Sequence, residues 1–203
     1  SNTKYVPVDK KFGFEQSSYD LTKGEKVQLT CDSTEMGSAK KKWSSSNTKV
    51  AKVSSSGKVT AVGPGTAVII LTGTSYGMEM KASCIVNVNQ VKGMSLASNN
   101  KTSDSVSCGI DGPTGTSSDA RVFTINVDRG GSVYTTQQMI DKGMYTKPEI
   151  RVSNTSIATA DYSMEGDKIL VKVSPALPGK TKITVKFAGK TATLNCTVGQ
   201  MLK

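Results

Sequence analysis

Histidine is absent from this 203-residue chain, and aromatic residues make up only 5% of it. The chain therefore lacks the commonest general base, the usual partner of a serine or cysteine nucleophile, and the commonest metal-binding imidazole. Its acidic residues are scattered singly over predicted strands and turns, so no carboxylate pair suited to hydrolysis stands out. The sequence predicts neither an enzyme nor a cofactor.

Long apolar runs are also missing. No run approaches the roughly 18 to 20 residues needed to cross a bilayer. The first residues, SNTKYVPVDKK, lack the hydrophobic core of a signal peptide. We therefore expect no insertion into a membrane.

Arginine is scarce, although the net charge is +10. Residues 1–91 carry 12 lysines against seven acidic residues, and the rest carry 14 basic residues against nine, so each half has a charge of +5. Nucleic-acid binders usually concentrate arginine and aromatic residues on one element, whereas these lysines are spread along predicted strands. We expect no nucleic-acid partner. The densest cluster is Lys40-Lys41-Lys42, and the favoured interpretation is a solvated strand face. The alternative is that the cluster attracts wall polymers, membranes or acidic glycans.

A degenerate repeat is present. Ser46-Asn47-Thr48 recurs as Ser153-Asn154-Thr155, and Val50-Ala51 recurs as Ile157-Ala158, at a constant offset of 107 residues. Two copies of about a hundred residues each imply two domains.

The first copy alternates apolar and polar residues between turns. In Lys58 to Val62, Val59 and Ala61 alternate with Lys58 and Thr60, which is typical of a strand with one buried face. Gly57 and Gly65 each precede a strand, where a turn commonly needs a positive φ. The abundance of short strands and turns predicts an all-β fold.

The segments W-S-S-S-N, V-A-K-V, G-K-V-T-A-V and G-T-A-V-I resemble the bacterial immunoglobulin-like domain of group 2. The resemblance covers roughly residues 21–88 and, in weaker form, roughly 122–198. In the second copy Ile150 stands where Trp43 maps, and Met164-Glu165-Gly166-Asp167 replaces the Ser-Ser-Ser-Gly turn. The resemblance implies two tandem immunoglobulin-like β-sandwiches from a secreted or cell-surface bacterial protein.

We expect the domains to span residues 1–91 and 92–203 and to form a monomeric rod within a larger chain. Val27, Leu29 and Cys31 predict one strand after a turn at 21–25. Residues 78–88 predict a closing strand with Met78 on its buried face, and Trp43 is expected to fill the core.

An insertion at about residues 128–148 distinguishes the second domain. Within it, residues 135–143 offer an N-cap hydroxyl and a terminal glycine, which predicts one short helix. Inserted loops often carry binding, so Gln137, Gln138 and Tyr145 are candidate partner contacts, as is the loop at 112–118. Decoration without a binding role is the favoured alternative.

The four cysteines fall two to a domain, Cys31 with Cys84 and Cys108 with Cys196. No pair has the spacing of a zinc knuckle or redox motif. One disulfide per domain and buried free thiols both remain open. Calcium at Asp161, Glu165 and Asp167 is a minor alternative, because these oxygens lack the density of an EF-hand loop.

The sequence therefore predicts a noncatalytic spacer or adhesion module. The expected partners are a cell-wall polymer, a glycan or a host surface protein. Two other hypotheses are direct glycan or host-protein binding through loops of the second domain, and an accessory domain of a larger polysaccharide-active enzyme.

Overall fold

The computed structural model describes residues 12–33, 40–75, 77–97 and 120–200, together with the main chain of residues 105–110. These residues form 17 strands and one short helix, which confirms the all-β prediction. They divide into two compact units, residues 1–90 with 131–133 and residues 91–130 with 134–203. The sequence placed a boundary after residue 91 but did not anticipate that Gly131–Val133 belong to the first unit.

The first unit is a two-layer β-sandwich. Its strands are β1 (Phe12–Phe14), β2 (Ser18–Thr22), β3 (Lys26–Gln28), β4 (Cys31–Ser33), β5 (Lys40–Ser45), β6 (Ala51–Val53), β7 (Lys58–Ala61), β8 (Gly65–Ser75) and β9 (Met78–Asn89). One layer has the strand order β2-β9-β8-β5 and the other β3-β7-β6, while β1 pairs with β4. Strands β2 and β9 run parallel, and the other neighbours are antiparallel.

Alternating side chains of the two layers form the core of this unit. Val59 and Ala61 of β7 are buried, whereas Lys58 faces solvent, as predicted. Ala82, Cys84, Val86 and Val88 share the buried face of β9. Met78 was expected on that face but is 70% exposed, because it lies opposite Ser75 at the tip of the β8–β9 hairpin, beyond the core.

The prediction of one continuous strand through Val27, Leu29 and Cys31 is wrong. Strand β3 pairs with β7, whereas β4 pairs with β1. Between them, the Leu29 N–H donates to the Gly57 carbonyl at 3.0 Å and its side chain is buried. Leu21, which was expected in a turn, is a buried residue of β2. Apolar alternation predicts which face is buried but not which strand each segment pairs with.

The second unit follows the same plan. Its elements are β10 (Gly93–Leu96), β11 (Ser105–Ile110), β12 (Arg121–Asp128), α1 (Thr136–Asp141), β13 (Glu149–Val152), β14 (Ala158–Glu165), β15 (Lys168–Pro175), β16 (Gly179–Phe187) and β17 (Lys190–Gln200). The layers have the orders β11-β17-β16-β13 and β10-β12-β15-β14, and β11 runs parallel to β17. The core is centred on side chains with no exposed surface: Ile125, Ile169, Val171, Ile183 and Val185.

The repeated Ser-Asn-Thr motif makes the same hydrogen bonds in both units. The Ser46 hydroxyl accepts from the Val68 N–H at 2.8 Å, and the Ser153 hydroxyl accepts from the Lys182 N–H at 2.9 Å. The Asn47 carbonyl accepts from the N–H groups three and four residues later, at Val50 and Ala51. The Asn154 carbonyl accepts in the same way from Ile157 and Ala158. The motif is repeated because it joins equivalent strands of each sandwich.

Candidate functional site

The insertion in the second unit contains the predicted helix. Helix α1 starts after the N-cap Thr135, whose hydroxyl accepts from the Gln138 N–H at 3.2 Å. In turn, the Gln138 Oε1 atom accepts from the Thr135 N–H at 2.9 Å, which completes a capping box. Met139 on the inner face of the helix is fully buried in the core of the unit. The predicted helix is confirmed, and its one buried methionine anchors it.

A carboxylate on the β14–β15 turn also holds this helix. Asp167 Oδ2 lies 2.7 Å from Arg129 Nε. Its Oδ1 accepts from the Thr136 N–H at 2.8 Å and from the Thr136 hydroxyl at 3.0 Å. Burial alone would raise the pKa of Asp167, but Arg129 and the two Thr136 donors outweigh burial and lower it. This group of Asp167, Arg129 and Thr136, the Asp167 clamp, ties the insertion to the sheet.

The three candidate contact residues of the insertion also bond within the second unit. Gln137 Nε2 donates to Asp141 Oδ1 at 2.7 Å, and Gln138 belongs to the capping box. The Tyr145 hydroxyl accepts from the Val91 N–H at 3.4 Å, and its ring lies 6.0 Å from that of Phe187. These residues support the insertion, and its exposed side chains include Gln138, Thr146 and Lys147. The loop at 112–118 lies outside the described residues.

Cys31 and Cys84 lie in the same part of the first unit. Cys31 is opposite Phe14 in the β1–β4 pair, and Phe14 packs against the core cluster that contains Cys84. Burial, followed by the nearby Cys31, raises the pKa of Cys84 to about 11. Burial also raises the pKa of Cys31. Both cysteines are free thiols in the structure. A disulfide between them therefore stays a prediction.

The second cysteine pair has a different geometry. Cys196 is buried in β17 opposite Val106 of β11, whereas Cys108 is opposite Val198. Residues offset by two on adjacent strands are roughly 8 Å apart at Cα, from a strand spacing of about 4.8 Å and a rise of about 3.3 Å per residue. That exceeds the usual Cα separation of a disulfide. A bridge here, which also stays a prediction, would need a local shift of the backbone.

The acidic residues considered for calcium do not converge. Asp161 and Glu165 lie opposite Lys172 and Lys168 across β14 and β15. Asp167 is held by Arg129 and Thr136 instead. Within the described ranges, no group of three or more cysteine or acidic side chains is placed to hold a metal ion.

Three lysines of the first unit, which the sequence analysis did not single out, come together on the outer face of sheet β3-β7-β6. Lys26 and Lys52 both lie opposite Thr60, one on each side of the central strand. Lys58 is two residues before Thr60, opposite Gln28. With Val53 and Ser54 these residues line a shallow depression of about 310 Å³. We call Lys26, Lys52 and Lys58 the lysine triad. The sequence signal for the triad was that its lysines occupy outward-facing positions on three separate strands.

The cluster Lys40-Lys41-Lys42 is arranged differently. It lies on the edge strand β5, where Lys40 and Lys42 are opposite Thr74 and Thr72, and Lys41 is opposite Gly73. Alternation along a strand sends neighbouring residues to opposite faces. The run is therefore split between two faces of its sheet.

In the described part of the chain, no helix has both the length and the apolar character needed to span a bilayer.

Residues 10–86 match the family model of the bacterial Ig-like domain (group 2), which confirms the resemblance for the first copy. For the second copy, which lies beyond the matched residues, membership stays a prediction. No curated protein matches this chain.

Similar solved structures include surface layer protein SbsC, domains 1–6, at 20% identity and TM-score 0.44, covering 80% of this chain and 20% of that one. SbsC domains 4 and 5 are 17% identical with a TM-score of 0.42, covering 85% of this chain and 78% of theirs. Zebrafish RET cadherin-like domains 1 to 4 are 12% identical with a TM-score of 0.49, covering 90% and 46%. This chain thus spans about a fifth of the first structure.

Proposed function

We propose that the chain is a noncatalytic structural module of a bacterial surface or secreted protein, serving as a spacer or adhesin stalk. The observation that carries this proposal is the repeated sandwich plan, in which equivalent strands are joined by equivalent Ser-Asn-Thr hydrogen bonds. The match of residues 10–86 to a bacterial Ig-like family supports an extracellular setting.

The titration behaviour of the described side chains supports a noncatalytic role. Burial raises the pKa of Tyr19, Cys31 and Cys84, so these groups stay protonated and weakly nucleophilic near neutral pH. Asp167 is shifted in the opposite direction, but its carboxylate oxygens are occupied by Arg129 and Thr136. A general acid or base works best with a pKa near the operating pH, and the pKa of each of these four groups is shifted away from neutrality.

A display experiment tests the spacer role. A reporter binding domain is placed on a bacterial cell through this chain or through a Gly/Ser linker of equal length, and capture of bead-bound ligand is measured. A folded unit keeps a fixed extent, whereas the end-to-end distance of a Gly/Ser linker fluctuates widely and is often much shorter than its mean. We expect higher capture through the chain. Equal capture through both connections would contradict the spacer role.

A second candidate function is recognition of a glycan or a host protein through the insertion. The observation favouring it is the rigid support of the insertion by Met139 and the Asp167 clamp, because a preorganised loop binds with a smaller entropic cost.

Surface substitutions test this candidate better than a deletion, which would remove the buried Met139. The variant Thr146→Glu with Lys147→Glu is compared with the matched variant Lys190→Glu with Thr191→Glu, since all four residues are exposed. On arrays of neutral glycans and matrix proteins, a recognition loop predicts binding that only the first variant loses. If the wild-type chain binds nothing, or both variants bind alike, this candidate is wrong.

A further inference from the structure

We propose that the lysine triad is a binding face for a linear polymer that carries phosphate groups. A spacer needs no ligand, so this inference goes beyond the proposed function.

The sheet brings the three charges together from distant parts of the chain. Lys26, Lys52 and Lys58 are all exposed, and they surround Thr60 on the central strand β7. Strands β3 and β6 are two strand spacings apart, so Lys26 and Lys52 start roughly 10 Å from each other at Cα. Across this distance, flexible lysine side chains can converge on one anionic group or contact successive anionic groups of a polymer.

In the part of the chain that the structure describes, no acidic side chain lies opposite these lysines. Among the described residues, none of the three forms an ion pair. Glu25, the nearest acidic residue in sequence, is turned to the Thr22 N–H, to which its Oε2 is bonded at 2.6 Å. Like charges on neighbouring strands repel one another. The triad therefore has a cost to the fold that an anionic ligand would remove.

The equivalent sheet of the second unit provides an internal comparison. On the outer face of β10-β12-β15-β14, Lys172 is opposite Asp161 and Lys168 is opposite Glu165. Two lysines are thus matched by two carboxylates across adjacent strands. Lysines of the same sheet therefore face carboxylates on a neighbouring strand in the second unit, whereas those of the triad face none.

The residue types favour phosphate on a polymer. Lysine ammonium groups bind phosphate as point charges, and the half-buried Thr60 hydroxyl adds a neutral donor at the centre. A membrane surface fits less well, because the exposed large apolar side chains, Met78, Ile85, Val122, Val133 and Leu177, all lie off strands β3, β6 and β7. Bases of a nucleic acid would need aromatic platforms, and none lines this depression.

Binding of the full chain to long-chain inorganic polyphosphate tests the proposal. The triple variant Lys26→Gln, Lys52→Gln, Lys58→Gln is compared with Lys180→Gln, Lys182→Gln, Lys186→Gln, which removes the same charge from exposed positions of β16. We expect the triad variant to lose at least tenfold in affinity. The slope of log affinity against log salt should fall by about 2, since about 0.7 counterions are released per charge contact. The control should change less than threefold.

Several results would overturn the proposal. Equal losses in the two triple variants would mean that net charge alone drives binding, and absence of wild-type binding at low salt would exclude the site. Stronger binding to vesicles of phosphatidylglycerol, lost in the same triad variant, would assign the face to a membrane. Fluorescence of Trp43 in the first unit provides a folding control, because the triad variant should melt no lower than the wild-type chain without ligand.

Discussion

Gly57 lies against Trp43, and this contact decides how the turn before β7 is built. Gly57 has a φ of +84°, and a Cβ atom there would lie 2.6 Å from Trp43 Cζ2 and 3.1 Å from the Leu29 carbonyl oxygen. The Trp43 ring packs in turn against Phe14, with 5.7 Å between centroids. The residue before the strand must therefore adopt a left-handed backbone conformation and have no side chain, which only glycine does.

Substitution Gly57→Ala should lower the free energy of unfolding of the first unit by about 2 to 4 kcal/mol. The estimate combines about 1 kcal/mol or more for backbone strain with about 1 to 3 kcal/mol for overpacking. Denaturant unfolding followed by Trp43 fluorescence measures the loss. Gly24→Ala is the control, because Gly24 has a φ of +92° with nothing near its Cβ position, and it should lose only the strain term. Equal losses would mean that the Trp43 contact is unimportant.

Thiol reactivity should differ sharply between the two cysteines of the first unit. Cys84 is 2% exposed and its pKa is about 11, so at pH 8 about one molecule in a thousand carries the thiolate. Cys31 is partly exposed. Under native conditions, we expect iodoacetamide to label Cys31 well before Cys84, as followed by peptide mass spectrometry. Similar labelling rates would contradict the burial of Cys84.

The intact mass of the denatured, alkylated chain then tests the bridge. If Cys31 and Cys84 are joined, neither is alkylated until a reductant is added. The unreduced chain then lacks the mass of two alkyl groups, and before alkylation it is lighter than the reduced chain by two hydrogen atoms. Because Cys108 lies diagonally across from Cys196, we expect any bridge in the second unit to form less readily.

At the scale of elements, the Asp167 clamp makes the insertion sensitive to acid. The pKa of Asp167 in the folded state lies below its ordinary value of 3.8, so the unfolded chain takes up the proton first as pH falls. The stabilisation is therefore complete above pH 5 and is lost as pH falls through the folded-state pKa, below 3.8.

Substitution Asp167→Asn should cost about 1 kcal/mol at pH 7, a figure reduced for solvent screening because the Asp167 side chain is 34% exposed. Denaturant unfolding measured by circular dichroism from pH 7 to pH 2 should show the cost shrinking towards zero at the acid end. Glu165→Gln is the control, because Glu165 is an exposed residue of the same turn region, and its effect should be small throughout. A cost that did not change with pH would contradict the linkage.

Strand positions were predictable where a local pattern determines them. Alternation identified Val59 and Ala61 as buried, and the hydroxyl, helix-forming residues and glycine of 135–143 identified α1. Pairing was not predictable, because nothing local separates the segment at Val27 from that at Cys31, which join different partners. The candidate contacts Gln137, Gln138 and Tyr145 all lie in the insertion, and their contact with a partner stays a prediction. The role of Tyr145 could not be predicted, since it depends on Val91 and Phe187, which are distant in sequence, whereas Gln137 and Gln138 bond to residues three or four positions away.

At the scale of the whole molecule, each unit has its own hydrophobic core. Trp43 packs against the core of the first unit, and the core of the second is formed by separate side chains. Gly179 repeats in the second unit the contact that Gly65 makes with Val50 in the first. Its φ is +150°, and a Cβ there would lie 2.7 Å from Ile157 Cδ1.

Substitution Gly179→Ala should therefore lower the stability of the second unit by about 2 kcal/mol and leave the Trp43 transition unmoved. Calorimetry reports both units, whereas tryptophan fluorescence reports the first alone. A Trp43 transition that shifted together with the calorimetric one would show that the units do not unfold independently.

The parallel pairing of β2 with β9, and of β11 with β17, has a mechanical consequence. In each case an early strand of the unit runs beside its last strand, and five and six residue pairs are in register. A pull on the two ends of a unit acts along these strands in opposite directions, so their hydrogen bonds are loaded in shear and must rupture together. Antiparallel neighbours pulled from one end would instead unzip bond by bond under a smaller force.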